Sequence, residues 1–416
     1  MSRVSAKRIR RADALILTSL LWFMALFLRY VLPPLFGTFQ IQYDVSRAEL
    51  GLAYSALMIA YSTMQFPAGW LADRLGMVKV IVGGAAVFGT AALLISLSLS
   101  WYGLVAGLVL VGVGTGGHKT VSLPLLSNRY PSSPGRTLGL MDMVGQFGGV
   151  AGPAAVVAIG MLGADWRILF LLSAGVIFLL AGVFFGQHYW GLWENRTTVS
   201  SGATETTASD GDNPGKEARD NDNRDDSDDS YVMLFVEPRF TVFIAATVLI
   251  AFCWNGATAF MPLYLTDSAG LSPNLANGLY GLLFAASLAQ PVLGALSDRV
   301  GQLRVMAVTI AASGLAIGGL LVVVNPVVVG LCVLGLGTGM HGYRPVRDAY
   351  LTKLIPDAVA GGTFGVVRTI MIVSGSIAPF VVGLLIDFAS YTVAFAVLTA
   401  SVFAAVALFL GLLVAS

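Results

Sequence analysis

His118 and His341 are two of only three histidines in a chain of 416 residues, and each lies within a long apolar run. The segments Gly114-Thr-Gly-Gly-His118 and Gly337-Thr-Gly-Met-His341 match at an offset of 223. Imidazole titrates near neutral pH, so a matched pair could bind a proton or an anionic ligand. The simpler role is a hydrogen bond between helices. Lys119 follows the first histidine directly, Arg344 stands three residues after the second, and Arg29 interrupts another apolar run. A charge within such a run is costly and usually faces an interior or a water-filled path. Excess positive charge there attracts anions and repels cations.

The elements that must position these residues are membrane helices. The chain is 56% hydrophobic and only 11% charged, with a mean hydropathy of +0.80, whereas soluble domains carry about 25% charge. A span needs roughly 20 apolar residues. Six runs precede the middle, over 13–36, 48–70, 78–99, 102–127, 137–162 and 166–187. Six follow, over 240–266, 274–296, 303–324, 326–346, 362–388 and 391–415. Short loops rich in Lys and Arg stay cytoplasmic. Arg3, Lys7, Arg8, Arg10, Arg11, Arg74, Lys79, Arg129, Arg136, Arg299, Arg304 and Lys353 fall on one side, and only Arg47 and Arg167 on the other. A multi-pass protein of the cytoplasmic membrane with both termini in the cytoplasm is expected. The first apolar run exceeds a signal-peptide core and lacks a cleavage signature, so it reads as the first span. Cys253 and Cys332 both lie within spans, which argues against a disulfide framework.

Residues 191–238 break the pattern. Ser200 to Ser230 carries ten acids and few apolar side chains, too few to bury a core. The expected organisation is a six-helix bundle over 1–190, a disordered acidic cytoplasmic linker over 191–238, and a second six-helix bundle over 239–416.

The halves repeat one another. Gly69-Trp-Leu-Ala-Asp73-Arg74-Leu-Gly76-Met-Val-Lys79 returns in pattern as Gly294-Ala-Leu-Ser-Asp298-Arg299-Val-Gly301-Gln-Leu-Arg304, at an offset of 225. Gln65 matches Gln290 at 225, and Gly152-Pro153 corresponds to Ala378-Pro379 at 226. Gly76 and Gly301 suit tight turns, while Gly69 and Gly294 are expected to let helices approach closely. Repeated halves in a membrane protein usually move against each other around a shared site.

On these motifs the chain resembles the major facilitator superfamily over essentially its full length. The hairpin signature G-x-L-x-D-R-x-G-x-x-[KR] is met at Gly69, Leu71, Asp73, Arg74, Gly76 and Lys79, and again at Gly294, Leu296, Asp298, Arg299, Gly301 and Arg304. The resemblance implies an all-α membrane fold of twelve helices in two pseudo-symmetric bundles, with a central cavity lined by spans one, four, seven and ten. It also implies alternating access, with the hairpin residues in a gating latch. Members that carry organic or phosphorylated anions have an Arg in the first span, as Arg29 is here. Leu28 precedes it where the anion:cation symporters would have Asp, and Asn255, at an offset of 226, stands where phosphate exchangers would offer a second Arg. The resemblance to these subgroups is partial.

Arg29, His118, Lys119, Asn255, His341 and Arg344 are therefore the expected substrate-binding residues, with His118, His341 and Asp142 as candidates for proton coupling. Asp142 in the fifth span matches Arg368 in the eleventh at an offset of 226. Since the second span of such proteins packs against the eleventh and the fifth against the eighth, Arg368 is expected near Asp73 and Asp142 near Asp298. Gating is thus expected at Asp73, Arg74, Lys79, Asp142, Asp298, Arg299, Arg304 and Arg368.

The expected activity is secondary transport of a small organic anion, a carboxylate or phosphate compound, with a proton as the candidate coupling ion. The chain is expected to act as a monomer in the bilayer, without a cofactor, metal or nucleic-acid partner. Proton-coupled drug efflux is the alternative. Gly139, Gly148, Gly152 and Pro153 have antiporter-like spacing, which a helix-packing face would also produce. Leu108 stands near the place where drug exporters usually carry Arg. A membrane sensor without flux is the alternative of another class. The sequence offers no nucleotide loop, metal cluster or nucleophile-base arrangement that would support catalysis.

Overall fold

The computed structural model describes residues 3–189, 237–355 and 360–415, with side chains from residue 14 onward and excluding 360–366. The expected linker over 191–238 lies outside the described residues except for its last two positions. The first span bends, running as Arg3–Tyr30 and Leu32–Tyr43. Spans two to six are Arg47–Leu75, Met77–Ser96, Trp101–Arg129, Pro134–Met161 and Arg167–Tyr189. The seventh is Pro238–Leu263, ending in a π-helical turn, Tyr264–Ser268. The eighth is broken by a 3₁₀ turn at Ala286–Ala289 into Pro273–Ala285 and Gln290–Val300. Spans nine to twelve are Gln302–Leu320, Pro326–Leu354, Ala360–Phe388 and Tyr391–Val414.

Eleven of these segments, among the described residues, are long and apolar enough to cross a membrane. Arg47–Leu75 is helical over 29 residues but more polar. It carries Arg47, Glu49, Asp73 and Arg74 at its ends and Ser55, Ser62 and Gln65 between them. The fold is all-helical.

Local chemistry sets the helix ends. Ser46 starts span two with a capping box to Glu49, and Ser272 caps span eight through the Leu275 amide. Ser100 and Asn325 cap spans four and ten, so equivalent helices of the two halves begin on equivalent side chains. Gly76 and Gly301 turn their hairpins at φ +93° and +101°, a region that favours glycine. Prolines interrupt the backbone hydrogen bonding of two cavity helices. Pro33 deprives the Arg29 carbonyl of its helical donor, and Pro345 does the same to His341.

Within the first half, span one packs on five, two on four, and three on four and six; within the second, span seven packs on eleven and twelve, and nine on ten and twelve. The halves meet where span two lies along eleven and five along eight. The hairpins, the start of span one and the end of span twelve lie on one face, termed the hairpin face; the opposite one is the far face.

Candidate functional site

A cavity of about 560 Å³ lies between the halves. Its wall runs from Arg29 and Asn255 at mid-span to Thr352 and Arg368 near the hairpin-face ends of spans ten and eleven. It therefore opens on the hairpin face. Trp22, Tyr30, Tyr61 and Trp254 supply most of its aromatic surface, and Gln146 a neutral polar group.

Arg29 is 7% exposed, and its Nε and Nη2 have no hydrogen-bond partner. The guanidinium lies 4.1 Å over the Tyr61 ring. Such stacking contributes about 0.5–2 kcal/mol, less than the several kcal/mol that desolvating an ion costs. Among the described residues no carboxylate forms an ion pair with Arg29. The charge is held in the wall with only partial compensation, which leaves it available to an anion.

Arg344 also lines the cavity, 5.0 Å over the Trp254 ring. Lys119 lines it too, but its Nζ pairs with Asp142 at 2.9 Å. Arg347 pairs with Asp348 at 2.7 Å. With these pairs cancelled, Arg29, Arg344 and Arg368 leave the wall electropositive. Asn255 lines the cavity and donates from Nδ2 to the Ala251 carbonyl at 2.9 Å. Gly375 leaves room for that amide, since a Cβ there would meet Nδ2 at 2.5 Å.

The histidines stand behind this wall. His118 Nε2 lies 3.0 Å from the Thr18 carbonyl, and its ring stacks on Trp22 at 5.9 Å. His341 Nδ1 lies 3.3 Å from Gln290 Nε2, with the ring 5.0 Å from Trp254. Both are buried and neither belongs to the cavity wall. One helical step of 100° sends Lys119 into the cavity and His118 away from it.

The hairpin charges Asp73, Arg74, Lys79, Asp298, Arg299 and Arg304 are all exposed, and Arg74 rests 3.9 Å over Trp70. The expected Asp73–Arg368 contact is not made, and Asp142 meets Lys119 of its own half rather than Asp298. The open cavity separates the halves on this face. Gly69 correspondingly has nothing within 4 Å of its Cβ position, and neither has Gly294, so the expected close approach there is absent. Gly148 and Gly152 do lie against the backbone of span one, while Gly139 faces open space.

The far face is closed instead, by residues whose role was not evident in the sequence. Arg47 Nε donates to the Tyr391 hydroxyl at 2.9 Å, and its guanidinium lies 3.5 Å from Asp267 and 3.8 Å from Asp387. Tyr391 donates on to Asp267 at 2.8 Å. Asp387 accepts from the amides of Arg47 and Ala48, at 3.3 and 2.7 Å, and so caps a helix of the opposite half. Beneath this cluster Gly51 lies against the Pro379 carbonyl and Gly383 against the Arg47 carbonyl, so a Cβ at either would strike backbone. Phe36 and Phe260 meet edge-on at 5.7 Å. The sequence signal was slight: Arg47 was a rare cation on a side nearly free of them.

Comparison with known proteins places this geometry. The sequence pattern of the Major Facilitator Superfamily matches residues 18–341 and 244–416. The probable sulfoacetate transporter SauU of Cupriavidus necator is 29% identical over 133 residues, 32% of this chain and 31% of that one. The match thus spans about a third of that relative's length. The cis,cis-muconate transport protein of Acinetobacter baylyi is 22% identical over 382 residues, 88% of this chain and 86% of that one. A multidrug resistance protein B homolog of Mycobacterium tuberculosis is 23% identical over 385 residues, covering 82% and 64%. Among solved structures, a mutant of the nucleoside transporter NupG superposes with a TM-score of 0.72 at 14% identity, covering 95% of this chain and 99% of that one. An inward-facing bacterial homolog of the human lysosomal transporter Spinster gives 0.69 at 16%, covering 98% and 95%. These two likenesses carry the fold.

Proposed function

We propose that this chain, which belongs to the Major Facilitator Superfamily of secondary transporters, carries a small organic anion through the cavity at Arg29. The observation that carries the reading is the buried guanidinium itself, without a carboxylate partner among the described residues, in a wall whose remaining charge is positive. Sulfoacetate and muconate, the compounds for which two relatives are named, are organic anions, and this supports the same class.

The Lys and Arg asymmetry makes the hairpin face cytoplasmic, so the cavity is open inward and sealed outward. The hairpin charges then belong to a latch of the opposite state, in which Asp73 and Arg368 approach. For coupling, the Lys119–Asp142 pair at 2.9 Å supplies a simple exchange. A proton on Asp142 frees Lys119 for the substrate, so proton and anion load together.

A drug-efflux reading draws on the multidrug resistance homolog and on the aromatic wall. It meets the difficulty that Asp348, the acid in the lining, is already paired with Arg347. A cationic drug would face uncompensated positive charge.

Thermal-shift screening of the purified protein against organic acids and lipophilic cations separates the two. Stabilisation by acids, lost in Arg29→Gln, is the expected result. Stabilisation by cations alone, retained in Arg29→Gln, would reverse the assignment.

A further inference from the structure

The cavity wall changes character with depth. Towards the hairpin face it is charged. Arg344, Arg347 and Asp348 lie one to two helical turns beyond Met340 on span ten, and Arg368 lies one turn before Ile372 on span eleven. Lys119 lies in the hairpin-face half of span four. At mid-span, among the described residues, Arg29 is the one charged side chain in the wall.

The rest of that level is apolar. Met58, Ile250, Met340, Met371 and Ile372 line it from spans two, seven, ten and eleven, alongside the aromatic rings described above. Besides the tyrosine hydroxyls, its neutral polar groups are Gln146 and Asn255. The Asn255 amide is already given to the Ala251 carbonyl at 2.9 Å. Among the described residues Asp348 is the sole carboxylate in the wall, and Arg347 holds it at 2.7 Å nearer the mouth.

A solute seated on Arg29 therefore meets a cation at its acid end and hydrocarbon or sulfur along its body. A sugar phosphate or a polyhydroxylated acid brings several hydroxyl donors, which would leave water with few acceptors in return. Each donor left unpaired weakens binding. An apolar body gains instead, by about fourfold in affinity per buried methylene. The thioethers of Met58, Met340 and Met371 are unbranched and adapt their shape to a ring or a chain.

We infer that the cavity selects a carboxylate with an apolar body, its acid group on Arg29 and its body in the mid-span belt of Met58, Ile250, Met340, Met371 and Ile372. The inference rests on the anion reading above and adds the chemistry of the solute's body. The positive charge nearer the mouth draws anions in whatever their body. The belt beneath then sorts them, accepting hydrocarbon and rejecting polyols.

Isothermal titration calorimetry on the purified full-length protein tests this with acids of equal charge. The probes are cyclohexanecarboxylate and its polyhydroxylated counterpart quinate, with benzoate, acetate and glucose 6-phosphate alongside. In the wild type, cyclohexanecarboxylate and benzoate are expected to bind at least about tenfold tighter than quinate or acetate. Their binding should carry a negative heat-capacity change, the mark of apolar burial. Met371→Gln, close in size to the original, and Ile372→Asn should each narrow the ratio of cyclohexanecarboxylate to quinate affinity by about three- to tenfold. Arg29→Gln should weaken every acid and leave that ratio near the wild-type value. Quinate or glucose 6-phosphate binding as tightly as cyclohexanecarboxylate, or a ratio unchanged in both belt variants, overturns the apolar body and leaves the anion reading standing. Failure of every acid to bind removes both.

Discussion

Asp387 grips Arg47 twice: its carboxylate accepts the first backbone amide of Arg47's helix at 3.3 Å and lies 3.8 Å from the guanidinium. The two residues belong to different halves, so the bond is made only when the far face is shut. Helix capping is worth roughly 1 kcal/mol, and a part-exposed ion pair up to about 1 kcal/mol. Asp387→Ala should therefore favour the far-face-open state by about 1–2 kcal/mol, a five- to thirtyfold change in population. Spin labels at Ile41 and Phe388, both exposed at far-face helix ends of opposite halves, would report it once Cys253 and Cys332 are replaced. The longer-distance population should grow.

Beneath that bond the backbones themselves touch. A Cβ at Gly51 would strike the Pro379 carbonyl, a neighbour unable to turn aside. Gly51→Ala should wedge the far face and lengthen the same label distance. Gly69→Ala, with nothing within 4 Å of the new methyl, should leave that distance unchanged and stabilise its helix by up to about 1 kcal/mol.

The Lys119–Asp142 pair gives predictions of opposite sign. Asp142→Asn frees Lys119 in the cavity, so the apparent KM for an anion should fall and transport should lose its dependence on pH. Lys119→Gln leaves Asp142 unpaired and should raise KM. Uptake into proteoliposomes across a pH series measures both, and similar KM changes in the two variants would exclude this pair from coupling.

His118 and His341 are placed to pack. Substituting Gln for either should leave the pH profile of transport near that of the wild type. The expected cost is stability, about 0.5–1.5 kcal/mol where a part-buried partner such as Gln290 loses its hydrogen bond. Thermal unfolding with and without the substitution checks this.

Much of the fold was legible because its signals are dense. Twelve apolar runs, two hairpins at one offset and glycines at their turns define two similar halves, and Gly76 and Gly301 do take the positive φ that the turns require. Arg29 was legible because a charge in an apolar run stands out. Which way a helix turns its side chains was not: His118 and Lys119 are adjacent in sequence, yet one faces Thr18 and the other the cavity. Tyr61, Trp22 and Trp254 carry no charge to draw the eye, and they hold the cations in place. Charge density pointed to the hairpin face for the latch, but a sequence does not say which face is closed. Among the described residues, the sparse far-face charges are the ones that pair across the halves, since there the halves meet closely enough to hold them.

The central claim is that Arg29 seats an organic anion during transport. Its most direct test is solute uptake into proteoliposomes containing wild-type protein or Arg29→Gln, with organic acids and a lipophilic cation offered in parallel. The wild type should accumulate an acid, and Arg29→Gln should lower that uptake at least about a hundredfold, the loss expected when a buried charged partner worth several kcal/mol is removed, while still inserting and folding. Uptake of the cation by the wild type, undiminished in Arg29→Gln and with no acid transported, would contradict the account.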